Sequence, residues 1–326
     1  MRAVDVEVPG GPDALSLSEV SEPQPAPGDI VVQVVAAGVN NADLLQRAGH
    51  YPPPPGAPRW PGLEVSGHVV ALGPGTEGVW DIGDPVVALL DGGGYAERVV
   101  VPVTQVLPAP AGVDLVDAAA LPEAACTVWS TLVTAARLSP GEWLLVHGGS
   151  GGIGTIAVQV GAALGAQVAA TAGGPDRAER CRSLGARVVI DHRSEDFVAR
   201  TLEATGGHGA DVVLDVIGGA YLARNLEVLA TGGRLAVIGL QKGRRAELDL
   251  GTLLTKRATV LGTTLRSRPR AEKAAIVAAV RDNVWPMVAD GRVRPVVHAR
   301  LPLADAGRAH ELMSSGEVFG KVLLLP

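Results

Sequence analysis

The sequence predicts an α/β protein of two domains, one β-rich and one built on a doubly wound parallel sheet. Three observations lead there. From Val4 to about Ala88 the chain carries short valine-rich runs broken by Pro and Gly, as strands joined by tight turns do. After Pro140-Gly141, strand-like and helix-like segments alternate as far as Thr264, the pattern of a parallel sheet covered on both faces. The length, 326 residues, suits two cores better than one.

In the first part, strands are expected at Asp29 to Ala37, Gly67 to Leu72 and Pro85 to Leu90. The run Tyr51-Pro52-Pro53-Pro54-Pro55-Gly56 fits neither helix nor central strand, because each proline fixes φ and lacks an amide donor. It is expected to be a stiff, exposed loop. Helical spacing from Val116 to Ala136 marks the boundary. Beyond it come strand Trp143 to His147, helix Ile153 to Leu164, strand Gln167 to Ala172, helix Asp176 to Leu184 and strand Arg187 to Ile190. Then follow a helix near Glu195 to Glu203, strand Asp211 to Val216, helix Tyr221 to Leu229, and strands Arg234 to Gly239 and Thr259 to Thr264. The last 60 residues show one helix, about Glu272 to Asp290, and a strand-like piece, Lys321 to Leu325, which cap the sheet or return to the first domain.

Composition narrows the function. Hydrophobic residues make up 47% and charged residues 19%, enough for large cores. The net charge is −6 and no basic stripe appears, so nucleic-acid binding is not expected. No apolar run reaches the ~20 residues that span a bilayer, and the N-terminus has no signal-peptide pattern, so no membrane association and a cytoplasmic location are expected. Cys126 and Cys181 stand far apart, which offers neither a disulfide framework nor a cysteine-built metal site; both read as core or helix residues.

The run Gly149-Ser150-Gly151-Gly152-Ile153-Gly154 follows the first strand of the second half. Glycines there let the backbone turn tightly and approach a pyrophosphate seated on the amides of the next helix. The following strand ends Thr171-Ala172-Gly173-Gly174, without the acid that would hold a ribose 2′-hydroxyl. Arg177 and His192-Arg193 lie close by in sequence, so cations are at hand for a 2′-phosphate and NADPH is the expected cofactor. The bland alternative is that these cations are only solvated.

Further runs are Gly38-Val39-Asn40-Asn41-Ala42-Asp43, Gly62-Leu63-Glu64-Val65-Ser66-Gly67, Asp91-Gly92-Gly93-Gly94-Tyr95-Ala96-Glu97, Thr263-Thr264-Leu265-Arg266-Ser267-Arg268 and Gly320-Lys321-Val322. With the proline run and the glycine motif, they resemble the NADPH quinone oxidoreductase (zeta-crystallin-like) branch of the medium-chain dehydrogenase/reductases, and most of all its tumour-suppressor-inducible type. The resemblance covers essentially the whole chain. It implies a GroES-like catalytic domain over residues 1–122, rejoined by 267–326, and a Rossmann NADPH-binding domain over 123–266. It carries cofactor contacts onto Gly149, Ser150, Gly151, Gly152, Ile153, Gly154, Gly173, Gly174, Arg177 and His192. Contacts nearer the nicotinamide fall on Ile238, Gly239, Leu240, Thr263, Thr264 and Leu265; Ile217 and Lys321 are further expected cofactor contacts, and Thr127 and Trp129, on the boundary helix, are placed to border the ribose or the nicotinamide. Gly174 stands where a serine is common and His192 where a tyrosine is common, which weakens the preference for NADPH; Arg177 keeps a cation where a lysine is usual. Zinc-dependent members carry a cysteine and a histidine where this chain has Asn40 and Leu63, and the four-cysteine lobe is missing, so no metal is expected.

Without a Lewis acid, ketone reduction is slow, whereas quinones and conjugated enones delocalise the incoming charge and need mainly positioning. A hydride transfer from NADPH to a quinone is therefore the expected reaction. Tyr51 is expected to form one wall of the acceptor pocket, with Asn41, Asp43 and Arg266 at its rim. Plainer readings stay open: Tyr51 packing on the prolines, Asn41 satisfying a turn, Asp43 capping a helix that begins near Leu44, and Trp129 in the core. Two rival functions are an NADPH-dependent enoyl or alkenal reductase, with Tyr51 or Tyr95 as proton donor, and a non-catalytic NADPH-binding protein. The free edge of the late strand Thr259 to Thr264 needs a partner, so a homodimer or larger homo-oligomer is expected.

Overall fold

The computed structural model describes all 326 residues. It divides into two compact units, Met1–Cys126 with Leu265–Pro326, and Thr127–Thr264.

In the first unit β1 (Arg2–Val6) and β2 (Leu15–Glu19) form an antiparallel pair. The main sheet contains β3 (Asp29–Gly38), β4 (Glu64–Leu72), β5 (Pro85–Leu89), β6 (Arg98–Pro102), β7 (Val106–Pro108), β14 (Val297–Pro302) and β15 (Lys321–Leu325). Its order is β14-β15-β3-β4-β5-β7, with β6 also on β3. β3 is the organising strand. Both of its faces are largely buried, and it pairs antiparallel with β4, β6 and β15. Two register shifts against β4 bend it. The core gathers Ile30, Val32 and Val34 from β3 with Val65, Val86, Tyr95, Val322 and Leu324. Around the sheet lie α1 (Asn41–Arg47), α2 (Leu115–Ala118), α9 (Arg270–Ala289) and α10 (Ala306–Ser314). The proline loop is irregular backbone, as expected.

The boundary segment is not one helix. α2 ends before Leu121-Pro122, α3 (Pro122–Val128) restarts, and Trp129–Ala135 continues as a π-helix. Proline removes an amide and so favours a new start; the wider turn is closed by bonds such as Ala136 N–H to Thr131 C=O at 2.8 Å.

The second unit holds β8 (Trp143–Val146), β9 (Gln167–Ala172), β10 (Val188–Asp191), β11 (Ala210–Asp215), β12 (Leu229–Val237) and β13 (Thr259–Gly262). All pairings are parallel. The order β10-β9-β8-β11-β12-β13 is that of a doubly wound dinucleotide-binding sheet, with the switch of direction between β8 and β11. The helices are α4 (Gly152–Ala163), α5 (Pro175–Ser183), α6 (Phe197–Ala204), α7 (Leu222–Val228) and α8 (Leu250–Lys256). The fold class read from the sequence, a GroES-like β-rich unit with a Rossmann sheet, is what the structure has.

Three details differ from expectation. The last 60 residues hold two strands and two helices, because β14 pairs β15 and α10 covers the first core. β14 alternates half-buried and exposed residues with arginine and histidine among them, so its pattern reads as surface. β12 begins at Leu229, where helix was expected, and α8 carries no buried residue to mark it. No helix is long and apolar enough to cross a membrane.

Gly67 shows how tightly β3 and β4 meet: a Cβ there would lie 2.0 Å from the carbonyl oxygen of Gln33. Gly67→Ala is expected to lower unfolding stability by about 1–3 kcal/mol through overpacking, while Gly11→Ala, with open space around it, is expected to be near neutral. Denaturant midpoints compare the two.

Candidate active site

The second unit presents a cradle at the carboxyl ends of its strands. β8 leads into His147-Gly148-Gly149-Ser150, and α4 starts at Gly152. A Cβ at Gly149 would sit 2.8 Å from Ala170 Cβ, and one at Gly154 would sit 2.0 Å from the Gly148 carbonyl oxygen. Only hydrogen fits at either place, so the helix start is pressed onto its own turn. Thr171 fixes the turn from β9: its hydroxyl accepts from Gly148 N–H at 3.0 Å and its carbonyl from Gly149 N–H at 2.8 Å. The N-cap, Gly151, brings no side-chain oxygen. The first amides of α4 therefore have no acceptor within the helix and point outward at the positive end of its dipole. The crowded glycines and orphan amides fit a pyrophosphate.

The neighbouring strand ends supply the rest of the edge. Asp215, buried at the end of β11, accepts from Ile217 N–H at 2.7 Å and Gly218 N–H at 3.1 Å, which sets the course of the chain there; burial raises its carboxyl. Ile238 N–H donates to the Asp215 carbonyl at 2.8 Å, and Gly239 lies so close to Val216 that a Cβ would meet its carbonyl oxygen at 2.8 Å. Thr263 N–H reaches the Val237 carbonyl at 3.2 Å. Gly149 to Gly154, Gly173-Gly174, Ile217, Ile238 to Leu240 and Thr263-Thr264 are thus gathered on one edge of one sheet. His147 beneath them is structural. It lies 2.7 Å from Asn225 Oδ1 and edge-on to Phe197 and Tyr221, and burial pulls it down to about 4, so it stays neutral.

The first unit carries two buried polar clusters and a cationic clamp. In the first cluster, Glu64, sealed from solvent, accepts from Asn40 Nδ2 at 2.9 Å, from Glu123 N–H at 2.9 Å and from Lys321 Nζ, which also reaches Asn40 Oδ1 at 2.6 Å. A Cβ at Gly38 would lie 2.3 Å from the same carboxylate. In the second, Asp43 accepts from Asn40 N–H at 2.8 Å, Gly62 N–H at 2.9 Å and the Tyr95 hydroxyl at 3.3 Å. The Tyr95 hydroxyl also lies 3.1 Å from His310 Nε2. With the phenol donating to Asp43, His310 donates through Nε2 and leaves Nδ1 without a partner. Burial, with Arg47 nearby, brings His310 down to about 3. The clamp is Arg266, which donates to the carbonyls of Asp91 at 2.7 Å and Tyr51 at 3.4 Å and to Gln46 Oε1 at 2.6 Å, and lies 5.4 Å from the Tyr51 ring. Lys273 is buried beside it and pairs with Asp91.

Family models match on both units: the alcohol dehydrogenase GroES-like domain at residues 26–111 and the zinc-binding dehydrogenase model at residues 152–280. The quinone oxidoreductase of Rattus norvegicus is 32% identical, and the match covers 100% of this chain and 98% of that protein. The chain belongs to the quinone oxidoreductase family of the medium-chain dehydrogenases and reductases. A crystal structure of Escherichia coli quinone oxidoreductase complexed with NADPH matches with a TM-score of 0.89 and 31% identity over 100% of both chains. A phenolphthiocerol/phthiocerol polyketide synthase of Mycobacterium tuberculosis is 34% identical over 98% of this chain, which spans only 14% of that protein's length. The structure of CurK enoyl reductase matches with a TM-score of 0.86 and 25% identity, covering 99% of this chain and 98% of that one.

Several expected residues sit differently. Asp43 is not at a rim but fully buried, because two backbone amides and a phenol turn it inward. Nor does it cap a helix from outside: the N-cap of α1 is Asn40, and Asp43 is the third residue of the capping box. Arg266 is likewise 4% exposed, its donors taken by unit-one carbonyls and Gln46. Lys321, expected to touch the cofactor, has its amine buried against Glu64 and Asn40. Tyr51 is half-buried and Asn41 exposed. Sequence reasoning missed the roles of Glu64, Gln46, Asp91, Lys273 and His310, whose partners lie up to 257 residues away along the chain. The expected zinc-ligand positions hold Asn40, spent on Glu64, and Leu63, a core residue. No group of three His, Cys, Asp or Glu side chains is placed to share a metal ion.

Burial, opposed by the Asn40 and Gly62 amides, pushes Asp43 up to about 6. The folded chain thus favours the protonated carboxyl: this stabilisation is full below the unfolded value of 3.8 and is lost as pH rises through about 6. Relative to Asp43→Asn, the wild-type denaturation midpoint is therefore expected to rise as pH falls from about 7 to about 4. A midpoint difference that does not change with pH would contradict this.

Proposed function

We propose that the protein is a zinc-independent NADPH:quinone oxidoreductase acting on a quinone or a similar conjugated acceptor. The observation that carries the reading is the glycine cradle at Gly149 to Gly154, crowded to the limit and lined by orphan amides, beside a strand end that lacks an acid. The names of the relatives, and the NADPH bound in the Escherichia coli structure, support it. When bound, NADPH supplies a hydride from the nicotinamide ring. The amides of Gly152, Ile153 and Gly154 hold the pyrophosphate. Ile217, Ile238 to Leu240 and Thr263 to Leu265 shape the nicotinamide end, with Thr127 beside it.

Tyr51 forms one wall for a flat acceptor. The prolines that follow it limit the loop's freedom, so little ordering entropy remains to be lost on binding. Arg266 holds the ring from behind, which makes it a positioning residue rather than a contact to the acceptor. Asn41, exposed at the start of α1, supplies a polar contact. Asp43 acts through Gly62 and Asn40, whose amides it fixes. With an amide and an aliphatic side chain at the zinc-ligand positions, this chain builds no Lewis acid, so the acceptor must delocalise charge itself.

A second reading, saturation of an enone carbon-carbon double bond, is favoured by the likeness to the enoyl reductase structure and needs a proton donor. Burial raises Tyr51, so its phenol stays protonated at neutral pH and can serve. We also propose a homodimer through the open edge of β13, where Val260 and, on α8, Leu250 and Leu254 are exposed.

NADPH oxidation, followed at the nicotinamide absorbance with an ortho-quinone, a para-quinone and an enone, tests the activity. Quinone turnover faster with NADPH than with NADH is expected; turnover of the enone alone would move the assignment to the double-bond reductase, and binding without turnover would leave a carrier. Arg266→Met is expected to raise KM for the acceptor several-fold while leaving NADPH binding unchanged. Sedimentation of Val260→Lys with Leu254→Lys is expected to show monomer where the wild type is a dimer.

A further inference from the structure

β9 and β10 run parallel with Ala172 opposite Asp191, so their ends lie side by side. The turn after β10 is tightly set. Asp191 accepts from Arg193 N–H at 3.0 Å, its own N–H donates to Glu195 Oε2 at 2.8 Å, and its carbonyl accepts from Ser194 N–H at 3.0 Å and Glu195 N–H at 2.8 Å. His192 N–H adds a bond to the Ala172 carbonyl at 3.2 Å. These bonds direct the side chains of residues 192 and 193 across the end of β9. A Cβ at Gly173 would lie 2.9 Å from Arg193 Nε, 3.2 Å from its Cζ and 3.2 Å from His192 Nε2, and one at Gly174 would be 3.9 Å from Arg193 Nη1. The guanidinium therefore lies over the bare backbone of Gly173-Gly174. It forms no hydrogen bond or ion pair with the protein.

A cation with unmet donors, laid where a dinucleotide reader ordinarily keeps an acid for the ribose hydroxyls, has one natural ligand there, a phosphate monoester on the 2′ oxygen. The other candidates are weaker. Gly174 has no side chain. Burial lowers His192 below its ordinary value, with Arg193 and Lys242 acting in the same direction, so at neutral pH its imidazole brings a hydrogen bond and no charge. Arg177 sits on α5 with an interaction partner of its own.

We infer that Arg193 is the specificity-determining residue for the 2′-phosphate, reading it across Gly173 from the end of β10, with His192 as a neutral second donor. This rests on the NADPH reading above. It moves the discrimination from positions 174, 177 and 192 to the arginine next to His192, which explains how the chain does without a serine at 174 and a tyrosine at 192.

The test is binding, with no turnover required. Wild type, Arg193→Ala, Arg193→Lys and Arg177→Ala are titrated calorimetrically with 2′,5′-ADP and with 5′-AMP, and by nicotinamide fluorescence with NADPH and NADH. Arg193→Ala is expected to weaken 2′,5′-ADP and NADPH tenfold or more while changing 5′-AMP and NADH less than twofold. Arg193→Lys is expected to recover part of the loss, since it keeps the charge without the fork. Discrimination that survives Arg193→Ala but vanishes in Arg177→Ala would overturn the assignment to Arg193, as would an equal loss for all four ligands. A wild-type protein that binds NADH as tightly as NADPH would overturn the NADPH reading itself and this inference with it.

Discussion

Glu64 is a carboxylate with no access to water, and the first unit is arranged around its needs. An isolated buried charge would be too costly to keep, so the fold surrounds it with the ammonium of Lys321, the amide of Asn40 and the backbone N–H of Glu123. Each requirement dictates something larger. Gly38 must lack a side chain because the carboxylate occupies that space. Lys321 must be brought to β3, and so β15 runs antiparallel beside it, carrying the C-terminal segment back to the N-terminal sheet. Asn40, held from one side, becomes the N-cap of α1 and fixes Asp43 in turn.

From Asp43 the ordering passes outward. Its second oxygen holds Gly62, whose carbonyl accepts from Gly94 N–H while that of Pro61 accepts from Tyr95 N–H. The Asp91 to Gly94 loop is bound to Arg266, and Arg266 to Gln46 and the Tyr51 loop. The half-buried ring proposed to meet the acceptor is thus connected by a chain of hydrogen bonds to a sealed ion pair. Rigid support of this kind holds a reacting geometry without a metal. In the second unit the comparable constraint is steric: Gly154 against the Gly148 carbonyl leaves no room for anything but hydrogen, and that contact is what turns the first amides of α4 outward.

Much of this is legible in the sequence. The parallel sheet announces itself through nearly continuous apolar strands, and β9 and β15 fall where the pattern places them, at Gln167–Ala172 and Lys321–Leu325. The glycine motif is legible because it answers a local demand, a tight turn into a helix. β14 and α10 are not, since their residues alternate or mix in ways that make sense only once the first core is present to cover them. The boundary segment reads as one helix because apolar spacing does not reveal a π-helix, which depends on how its ends are held.

The side chains show the same division. Residue types tell which groups could act: a tyrosine before four prolines, an acid-free strand end, an asparagine and a leucine at the zinc-ligand positions. Which groups face outward is decided by partners far along the chain. Asp43 and Arg266 read as rim residues and prove to be internal, because Tyr95, Gln46 and Asp91 reach them only after folding. Arg193 reads as one of several nearby cations, and its position over Gly173 follows from the parallel pairing of β9 and β10. Local pattern is enough to specify backbone turns and strands, which depend on neighbours a few residues apart, whereas the burial and direction of a charged side chain depend on which distant groups arrive to satisfy it.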